Sequence, residues 1–345
     1  MSDNSKIEWC DASWNPIRAW LKSTMIDVPP QRWGYHCERV SPGCKHCYAS
    51  TMNGRMLPAW GTGLDYTVPN REKVEIFLDE KELLKPLSWE KPRRIFVESM
   101  SDWCATFATD EMRDRIMAVA ALCPQHTFLF LTKRAKGCAE YFLSVEQPNI
   151  NFADSRAEAI MDAMRQGGID VSALRWPLPN VHLGFSAENQ ECFDERWGHM
   201  RKLAAVGWKV WCSAEPLLGP VDVKTAVHPN PYLRIPGGYA GDRPDLMAKL
   251  CQVVVGGESG PGARPMDIAW VRSIVAQCKA AGVACFVKQL GAKPYSRTME
   301  PWTVPTKKKT LAGCVAVFPK LKDRKGGDMA EWPEDLRVRQ YPEAQ

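Results

Sequence analysis

The sequence predicts an α/β protein whose core is a full or partial β/α barrel of the TIM type. Six short apolar runs show no polar–apolar alternation, which is typical of strands buried on both faces of a parallel sheet. Amphipathic helical patterns lie among these runs, and each run ends abruptly in polar residues. Barrels of this kind carry their functional groups at the carboxyl ends of the strands. A doubly wound open sheet shows the same alternation and is the alternative fold.

Each predicted strand is followed by residues that can do chemistry. The strands are expected at residues 95–97, 128–131, 181–185, 210–212, 253–255 and 285–287. The polar groups after them are, in the same order, Glu98 to Asp102, Thr132 and Lys133, Ser186 and Glu188, Ser213 and Glu215, Gly256 to Glu258, and Lys288 and Gln289. Parallel strands bring their carboxyl ends to one edge of the sheet, so these groups are expected at one end of the barrel.

Three amphipathic helices are predicted among the strands. Apolar residues recur at helical spacing over 112–123, 193–204 and 271–278. Thr109 precedes the first of these helices and Asp267 the last, and both residue types are favourable N-caps. The alternation of strands and helices therefore predicts a parallel sheet.

The predicted barrel domain covers residues 1–290, with an irregular insertion at 15–35. Residues 291–345 are expected to form a basic, irregular C-terminal extension. The extension contains Lys307 to Lys309 and a second basic stretch at 320–325. A solvated tail is the ordinary explanation of such charge runs, and contact with nucleic acid is the alternative.

Composition excludes several classes of protein. The 345 residues include 45 Lys and Arg against 40 Asp and Glu, a formal charge of +5, and 45% are hydrophobic, as in ordinary globular proteins. No run of about 18 apolar residues is present to span a bilayer, and the start is too polar for a secretion signal. The protein is therefore expected in the cytoplasm, without membrane contact, and its 13 cysteines are expected to be reduced.

Three cysteines form a C-x6-C-x2-C array: Cys37, Cys44 and Cys47. Three thiolates close together in a reduced compartment indicate a metal, either zinc or an iron–sulfur cluster. A structural zinc needs a fourth ligand, for which His36 and His46 are available. A four-iron cluster held by three cysteines keeps one iron open for a substrate or cofactor, which makes the site catalytic.

The strand-end residues favour the iron–sulfur alternative. A structural zinc gives no reason for Ser, Lys and Glu at the strand ends. An open iron that chelates the amino and carboxylate groups of S-adenosylmethionine needs acceptors for the ammonium, a cation or hydroxyls for the carboxylate, and polar contacts for the ribose. The residues after the predicted strands are of these types.

Six sequence blocks carry a family resemblance; they lie at 7–16, 41–49, 96–102, 131–134, 214–220 and 256–260. In this order they resemble the three-cysteine-motif phage family, which is assigned to the radical S-adenosylmethionine (radical SAM) enzymes. More distantly, the cysteine motif and the residues after the next two strands are similar to spore photoproduct lyase. Two features depart from the pattern. The first cysteine gap is six residues instead of the common three, and 20 residues separate Pro16 from Cys37, which indicates an insertion.

The resemblance implies a radical SAM barrel in which Cys37, Cys44 and Cys47 ligate a [4Fe-4S] cluster that binds S-adenosylmethionine. The cofactor contacts that it implies are His46, Tyr48, Ser99, Ser101, Asp102, Lys133 and Ser186. The candidates for substrate contact are Glu188, Glu215, Glu258, Lys288 and Gln289. For the strand-end carboxylates Glu215 and Glu258, the ordinary alternative is an ion pair with a lysine or arginine.

The activity implied by the resemblance is hydrogen abstraction by a 5′-deoxyadenosyl radical, after an external donor of the flavodoxin or ferredoxin type reduces the cluster. The expected substrate is a thymine-derived base in phage DNA, modified or rearranged by isomerase- or lyase-type chemistry in the cytoplasm of the bacterial host. Trp103, Tyr295 and Trp302 are candidates for stacking on such a base. The alternatives are a zinc-binding, non-enzymatic nucleic-acid-binding protein, and a radical SAM enzyme that acts on tRNA, a free nucleotide or a peptide.

Overall fold

The structure is a computed structural model, and it describes residues 5–22, 32–55, 60–143, 175–232, 234–235, 238–242, 247–298 and 302–342. The chain forms two compact units. The first unit consists of Met1–Gly184 and Val206–Lys209, and the second of Phe185–Ala205 and Val210–Gln345. This division differs from the expected boundary after residue 290, which stays a prediction.

The described part of the first unit contains six strands and the beginning of a seventh. They are β1 Ala12–Trp14, β2 Ile17–Leu21, β3 Trp33–Gly34, β4 Val74–Leu78, β5 Arg94–Val97, β6 Thr127–Thr132 and β7 Val181–Ser186, which ends in the second unit. Its helices are α1 Tyr48–Gly54, α2 Glu80–Leu83, α3 Asp110–Leu122 and α4 Ala135–Leu143. Short 3-10 turns lie at Pro42–His46, Val68–Lys73 and Lys85–Ser88.

The second unit contains the remaining strands and helices. The strands are β8 Lys209–Ala214, β9 Arg234–Ile235, β10 Gly238–Tyr239, β11 Gln252–Gly256, β12 Met266–Asp267, β13 Ala284–Gln289, β14 Pro294–Tyr295, β15 Thr306–Leu311 and β16 Cys314–Pro319. The helices are α5 Gln190–Ala205, α6 Lys224–Val227 and α7 Ile268–Ala281. Further 3-10 turns lie at Ala240–Asp242, Met329–Glu331 and Glu334–Leu336.

Seven strands form one sheet in the order β1-β5-β6-β7-β8-β11-β13. The pairs β1–β5, β5–β6, β8–β11 and β11–β13 are parallel. This confirms the predicted α/β class with a parallel sheet. The strand order follows the chain without reversal, whereas a doubly wound sheet reverses at a switch point. The order is that of a partial β/α barrel, since the described strands include no pairing that joins β13 to β1.

The sheet and its helices form where the sequence predicts them. Every residue of β11 is buried, as expected of an apolar run without alternation. The predicted N-caps are confirmed, because Thr109 accepts from the backbone N–H of Met112 at 3.2 Å and Asp267 from that of Ala269 at 3.0 Å. Among the described residues, no helix combines the length and the apolar character that crossing a membrane requires.

The predicted insertion at 15–35 contributes to a small antiparallel sheet. Strand β2 lies between β3 and β4, so a segment expected to be irregular supplies two of the three strands. Strand β4 pairs with β2 over Val74–Leu78. Residues 23–31 of the insertion lie outside the described part of the chain.

The C-terminal segment, expected to be irregular, contains an antiparallel hairpin of β15 and β16. Ala312 and Gly313 between the strands both have positive φ, 49° and 79°, as in the hairpin turns that match strand twist. Further along, the N–H of Val287 donates to the carbonyl of Val338, and the N–H of Gln340 to that of Cys285. The end of the chain thus covers the outer edge of β13, which an open sheet would otherwise leave unpaired.

Candidate functional site

The three-cysteine segment lies in the first unit, between β3 and α1. Cys44 falls within the 3-10 turn that precedes α1, and Cys47 is the N-cap residue of that helix. Cys37 and Cys47 pack against a buried cluster that includes Tyr35 and Tyr66. Two of the three thiols therefore share one apolar wall.

Three hydrogen bonds attach this segment to the residues that follow β5 and β6. They run from Ser101 Oγ to the His36 carbonyl (2.7 Å), from the Tyr48 hydroxyl to the Ser99 carbonyl (2.5 Å) and from Arg134 Nη2 to the Glu38 carbonyl (3.2 Å). The cysteine loop, residues 36–48, is thereby docked at the carboxyl ends of two parallel strands. Four residues of the predicted site, Tyr48, Ser99, Ser101 and Asp102, lie in or beside this contact.

Asp102 organises the strand ends. Its Oδ1 accepts from the Thr132 hydroxyl at 2.6 Å and from the backbone N–H of Cys104 at 3.0 Å. Its Oδ2 accepts from the backbone N–H of Lys133 at 3.0 Å and from Arg134 Nη1 at 3.1 Å. A carboxylate has about four acceptor positions, so this buried side chain is fully used by the protein. Asp102 thus joins the end of β5 to the end of β6.

Arg134 extends this connection to the cysteine loop. It hydrogen-bonds to Asp102 and the Glu38 carbonyl, lies 3.6 Å from the Glu38 carboxylate and interacts electrostatically with the Cys37 thiol. Burial raises the pKa of the Cys37 thiol to about 12; the charge of Asp102 adds to the rise and Arg134 opposes it. Burial lowers the pKa of Arg134, but Asp102 and Cys37 outweigh burial and the net shift is upward.

The donor chemistry of the cysteine loop fits a thiolate-bound metal, but the ligand geometry is not assembled. In the described part of the chain, no three His, Cys, Asp or Glu side chains are placed as ligands of one ion. Cys37 and Cys47 interact electrostatically. Cys44 Sγ instead lies 3.9 Å from Ser41 Oγ. The three cysteine side chains suit a [4Fe-4S] cluster, or zinc with a fourth ligand, but in this structure their positions form neither site.

The conspicuous Trp-Asn-Pro block before β2 has a positional role. Asn15 Oδ1 accepts from the N–H of Met100 at 2.8 Å and from Ser99 Oγ at 3.1 Å. Glu98 Oε1 accepts from the N–H of Ile17 at 2.7 Å. These bonds tie the start of β2 to the turn after β5, and they fix the Ser99 carbonyl to which the cysteine loop is bonded.

Glu98 was not predicted as a site residue and is the most unusual carboxyl of this region. Its φ of 54° lies in the left-handed region, which is uncommon for a residue other than glycine. It is buried, and burial raises the pKa of its carboxyl well above the ordinary value. Its Oε2 has no hydrogen-bond partner among the described residues. Strained backbone of this kind is often found at functional sites.

The two histidines of the cysteine loop differ. His36 is 2% exposed, its ring contacts Tyr66 and Phe107, and its Nε2 has no hydrogen-bond partner in the described chain. Burial lowers the pKa of His36 to about 4, with Arg71 and Arg134 adding to the effect. His46, the predicted cofactor contact, is half-buried at the end of the 3-10 turn. Lys133, another predicted contact, is half-buried at the end of β6.

All three predicted substrate carboxylates lie in ion pairs, and two of them, Glu188 and Glu258, are buried and paired with arginine. Glu188 is 0% exposed and bonds to Arg196 Nη1 at 2.9 Å; the same nitrogen donates to the carbonyl of the buried Ser186 at 2.8 Å. Glu258, also buried, binds Arg264 with both oxygens, at 2.5 and 2.8 Å. Each of these pairs matches the ordinary alternative for a strand-end carboxylate.

Glu215 lies in a more accessible group at the carboxyl ends of β8, β11 and β13. Its Oε1 is 3.1 Å from Lys288 Nζ, and its Oε2 accepts from Ser213 Oγ at 3.1 Å. A Cβ on Gly256 would come within 2.7 Å of Oε1, so a larger residue there would require the Glu215 side chain to shift. Gln289 turns away from this pair and donates to a backbone carbonyl after β11 at 2.9 Å.

Two of the three aromatic residues predicted to stack on a base are buried. Trp103 is 0% exposed and packs on Phe130, and Tyr295 is 4% exposed and packs on Phe318. Both pack within the protein, so neither presents a free face to a base in this structure. Trp302 is half-buried.

The residues that the sequence did not single out are mostly partners of those that it did. Arg134, Arg196 and Arg264 each pair with a predicted carboxylate, and Asn15 anchors the turn after β5. Arg134 directly follows the predicted Lys133, and Asn15 lies in the sequence block 7–16, so the sequence near each residue could have indicated it. Arg196 lies on α5, eight residues beyond Glu188, where only the fold shows the pairing.

The fold and the site define a parallel α/β protein with a three-cysteine loop docked at two strand ends. The chain belongs to the family described as "Protein of unknown function (DUF5131)", which matches residues 4–315. No curated protein matches the sequence. A solved structure of spore photoproduct lyase, complexed with dinucleoside spore photoproduct, is similar at 13% sequence identity and a TM-score of 0.30. The alignment covers 79% of this chain and 64% of the lyase chain.

Proposed function

We propose that this protein is a radical SAM enzyme that modifies or rearranges a thymine-derived base in DNA. The observation that supports the proposal is the docking of the cysteine loop at the carboxyl ends of β5 and β6 by three hydrogen bonds. A purely structural metal loop has no need of that position, whereas the carboxyl ends of parallel strands are where catalytic groups of such sheets lie.

In this proposal Cys37, Cys44 and Cys47 hold the cluster. When bound, a [4Fe-4S] cluster with an open iron would supply one-electron reductive cleavage of S-adenosylmethionine. Cys44 faces Ser41 in the present structure, so binding would require the turn before α1 to rearrange. The neighbouring side chains position this loop, and Lys133 is the cation proposed for the carboxylate of the cofactor.

Metal and cofactor analysis tests the proposal. The protein is purified without oxygen, reconstituted with iron and sulfide, reduced, and assayed for 5′-deoxyadenosine from S-adenosylmethionine. We expect about four iron and four sulfide per chain together with cofactor cleavage. Cys44→Ala should lose both. Cys314→Ala, which removes an exposed thiol outside the motif, is the matched control and should keep both.

Loss of cofactor cleavage in the control, or equal iron in the Cys44 variant, would contradict the assignment of the cluster ligands. The substrate is tested separately, by mass spectrometry of host and phage nucleosides from cells with and without the protein. A modified thymine derivative that depends on Cys44 supports base modification. Unchanged nucleosides together with active cofactor cleavage would direct the search to tRNA, a free nucleotide or a peptide.

A zinc-binding, non-enzymatic protein is the second candidate, and His36 favours it. The imidazole is buried and is uncharged at neutral pH because its pKa is about 4. Its Nε2 has no hydrogen-bond partner among the described residues, and His36 directly precedes Cys37. Neutral imidazole and thiolates are the ligands that zinc prefers. About one zinc per chain, lost in His36→Ala and with no cofactor cleavage, would establish this function in place of the radical enzyme.

A further inference from the structure

The positive charge of the chain is concentrated in one segment of the second unit, residues 302–327. This segment contains seven of the 45 Lys and Arg residues and one of the 40 Asp and Glu residues. Outside it, 38 basic residues face 39 acidic ones, so the rest of the chain carries a formal charge of −1. A field of one sign confined to 26 residues indicates a partner of the opposite sign.

Three of the seven basic residues lie on the hairpin. Lys307, Lys308 and Lys309 occupy the middle of β15, and all three are exposed. Lys309 Nζ lies 5.8 Å from the ring centre of Phe318 on the partner strand. No ion pair engages these lysines in the described part of the chain, so their charges are available to a ligand.

The other four basic residues lie on the loop after β16, at Lys320, Lys322, Arg324 and Lys325, and they too are exposed. Two carboxylates hold this loop from within. Asp323 accepts from the N–H groups of Lys325 at 3.0 Å and Gly327 at 2.6 Å, and the buried Glu331 accepts from those of Lys322 at 2.8 Å and Asp323 at 3.2 Å. The carboxylates of Asp323 and Glu331 are therefore used mainly by the backbone, and Asp323 also interacts electrostatically with Lys325. The side chains of Lys320, Lys322 and Arg324 form no ion pair with the described residues.

The loop is packed against the carboxyl end of β13. The carbonyl of Gly326 accepts from the N–H of Leu290 at 2.8 Å and from the buried Trp332 indole at 3.0 Å. A Cβ on Gly326 would come within 2.5 Å of the Gly291 carbonyl, which shows how closely the two backbones approach. Lys288, two residues before Leu290, belongs to the Glu215 group. The basic loop thus borders the accessible strand-end group of its own unit.

A second explanation accounts for part of this charge. Lysines on an edge strand prevent it from pairing with another sheet, and β15 is an edge strand. That explanation applies to the hairpin and not to the loop, which is no strand. The edge-strand explanation also gives no reason why two carboxylates bind the loop backbone while four basic side chains remain exposed.

We propose that this basic surface, Lys307 to Lys309 with Lys320, Lys322, Arg324 and Lys325, binds the phosphate backbone of duplex DNA. Only the choice of DNA as the nucleic acid rests on the proposed function; the surface itself does not depend on a cluster. Backbone phosphates are the polyanion that rows of exposed lysine and arginine recognise without reading sequence. The surface holds the duplex beside the strand ends of the second unit.

The salt dependence of binding tests this surface. Binding of a fluorescein-labelled 30-base-pair duplex to the protein without metal is measured by anisotropy between 50 and 200 mM salt. Each phosphate contact contributes about 0.9 to the slope of log K against log salt. Two triple variants are compared. Lys307/Lys308/Lys309→Gln should lower the slope by about 1 to 2, because successive side chains of β15 face opposite sides of the hairpin. Lys322/Arg324/Lys325→Gln should lower it by about 2 to 3. Over this fourfold range of salt, a slope lower by about 2 to 3 removes a factor of about 16 to 64 in the salt effect.

The matched control, Lys81/Lys202/Lys249→Gln, removes the same charge from exposed sites elsewhere and should leave the slope within about 0.5 of the unchanged protein. Slopes of both test variants equal to that of the control would overturn the proposal. Preference for RNA of the same sequence would overturn the choice of DNA. Because the binding assay uses metal-free protein, a failure of cofactor cleavage leaves its result unaffected, and the two proposals fail separately.

Discussion

Asp102 has two possible roles: it either contacts the cofactor, as the sequence predicts, or holds the strand ends and the cysteine loop together. The sequence places it among the cofactor ligands, whereas the structure gives its two oxygens four protein donors. Asp102→Asn keeps the shape of the side chain and replaces one oxygen by an NH₂ group. The NH₂ group cannot accept the two hydrogen bonds that the replaced oxygen accepts, so two donors would lose their acceptor. The negative charge opposite Arg134 would also be lost.

The size of the effect follows from these contacts. A buried donor left without an acceptor costs about 1 to 3 kcal/mol, so two such donors give a loss of about 2 to 6 kcal/mol in the free energy of unfolding. For a unit of this size, such a loss corresponds to a fall in Tm of about 4 to 24 °C. Asp110→Asn is the control, since Asp110 is half exposed in its pair with Arg113 and should change stability by less than about 1 kcal/mol.

The assay is urea unfolding followed by circular dichroism, with S-adenosylmethionine binding measured by calorimetry on the folded variant. We expect Asp102→Asn to lose stability and, because Arg134 is released from the cysteine loop, to bind iron less well after reconstitution. A variant of unchanged stability that no longer binds the cofactor would refute this reasoning and assign Asp102 to the cofactor.

Three further predictions concern stability, each checked by denaturant unfolding. Glu188→Ala leaves Arg196 buried without this counter-ion and should lower the free energy of unfolding by about 3 to 5 kcal/mol. The Glu188→Leu/Arg196→Met double variant should recover most of that loss. Equal losses in the two variants would argue against the pair. Burial, with Lys209 adding, lowers the pKa of His182 from 6.5 to about 3, so the unfolded chain takes up the proton first. Stability should be complete above about pH 6.5 and fall by about 2 kcal/mol by pH 5, and His182→Leu should flatten this slope. Gly257→Ala should destabilise more than Gly256→Ala, because the new Cβ meets a backbone carbonyl at the first position and the end of a carboxylate at the second; the reverse order would contradict the packing.

The parallel sheet could be predicted because its signal is local. Apolar runs such as 253–255 have no alternation, and burial on both faces of a sheet is the physical reason for that pattern. The N-caps at Thr109 and Asp267 could be predicted for the same kind of reason, since each contacts an N–H only a few residues away. The hairpin of β15 and β16 could not be predicted, because three lysines in a row mask the strand pattern of β15 and only the turn at 312–313 indicates its pairing with β16.

Side-chain partnerships over long distances could not be predicted. Ser101 was expected beside the cofactor, and it does lie at the cysteine loop, but its hydroxyl is bonded to a carbonyl 65 residues earlier. Glu98 was part of the polar run after β5, yet nothing in a single sequence shows that its backbone is left-handed or that burial raises the pKa of its carboxyl. Residue type indicated which side chains gather at the strand ends, while the assignment of each to ligand or scaffold depends on the fold.

The three predicted substrate carboxylates differ in what a ligand can reach. Glu188 is 0% and the Glu258 side chain 5% exposed, and each is bound by arginine, so a substrate would have to break a buried ion pair to use either. The side chains of Glu215 and Lys288 remain 14% and 21% exposed. A substrate with a polar edge can exchange with this pair at a lower desolvation cost, because water already reaches both partners. Among the second-unit candidates, Glu215 and Lys288 are therefore the residues whose substitution should alter substrate binding with the smallest change in stability.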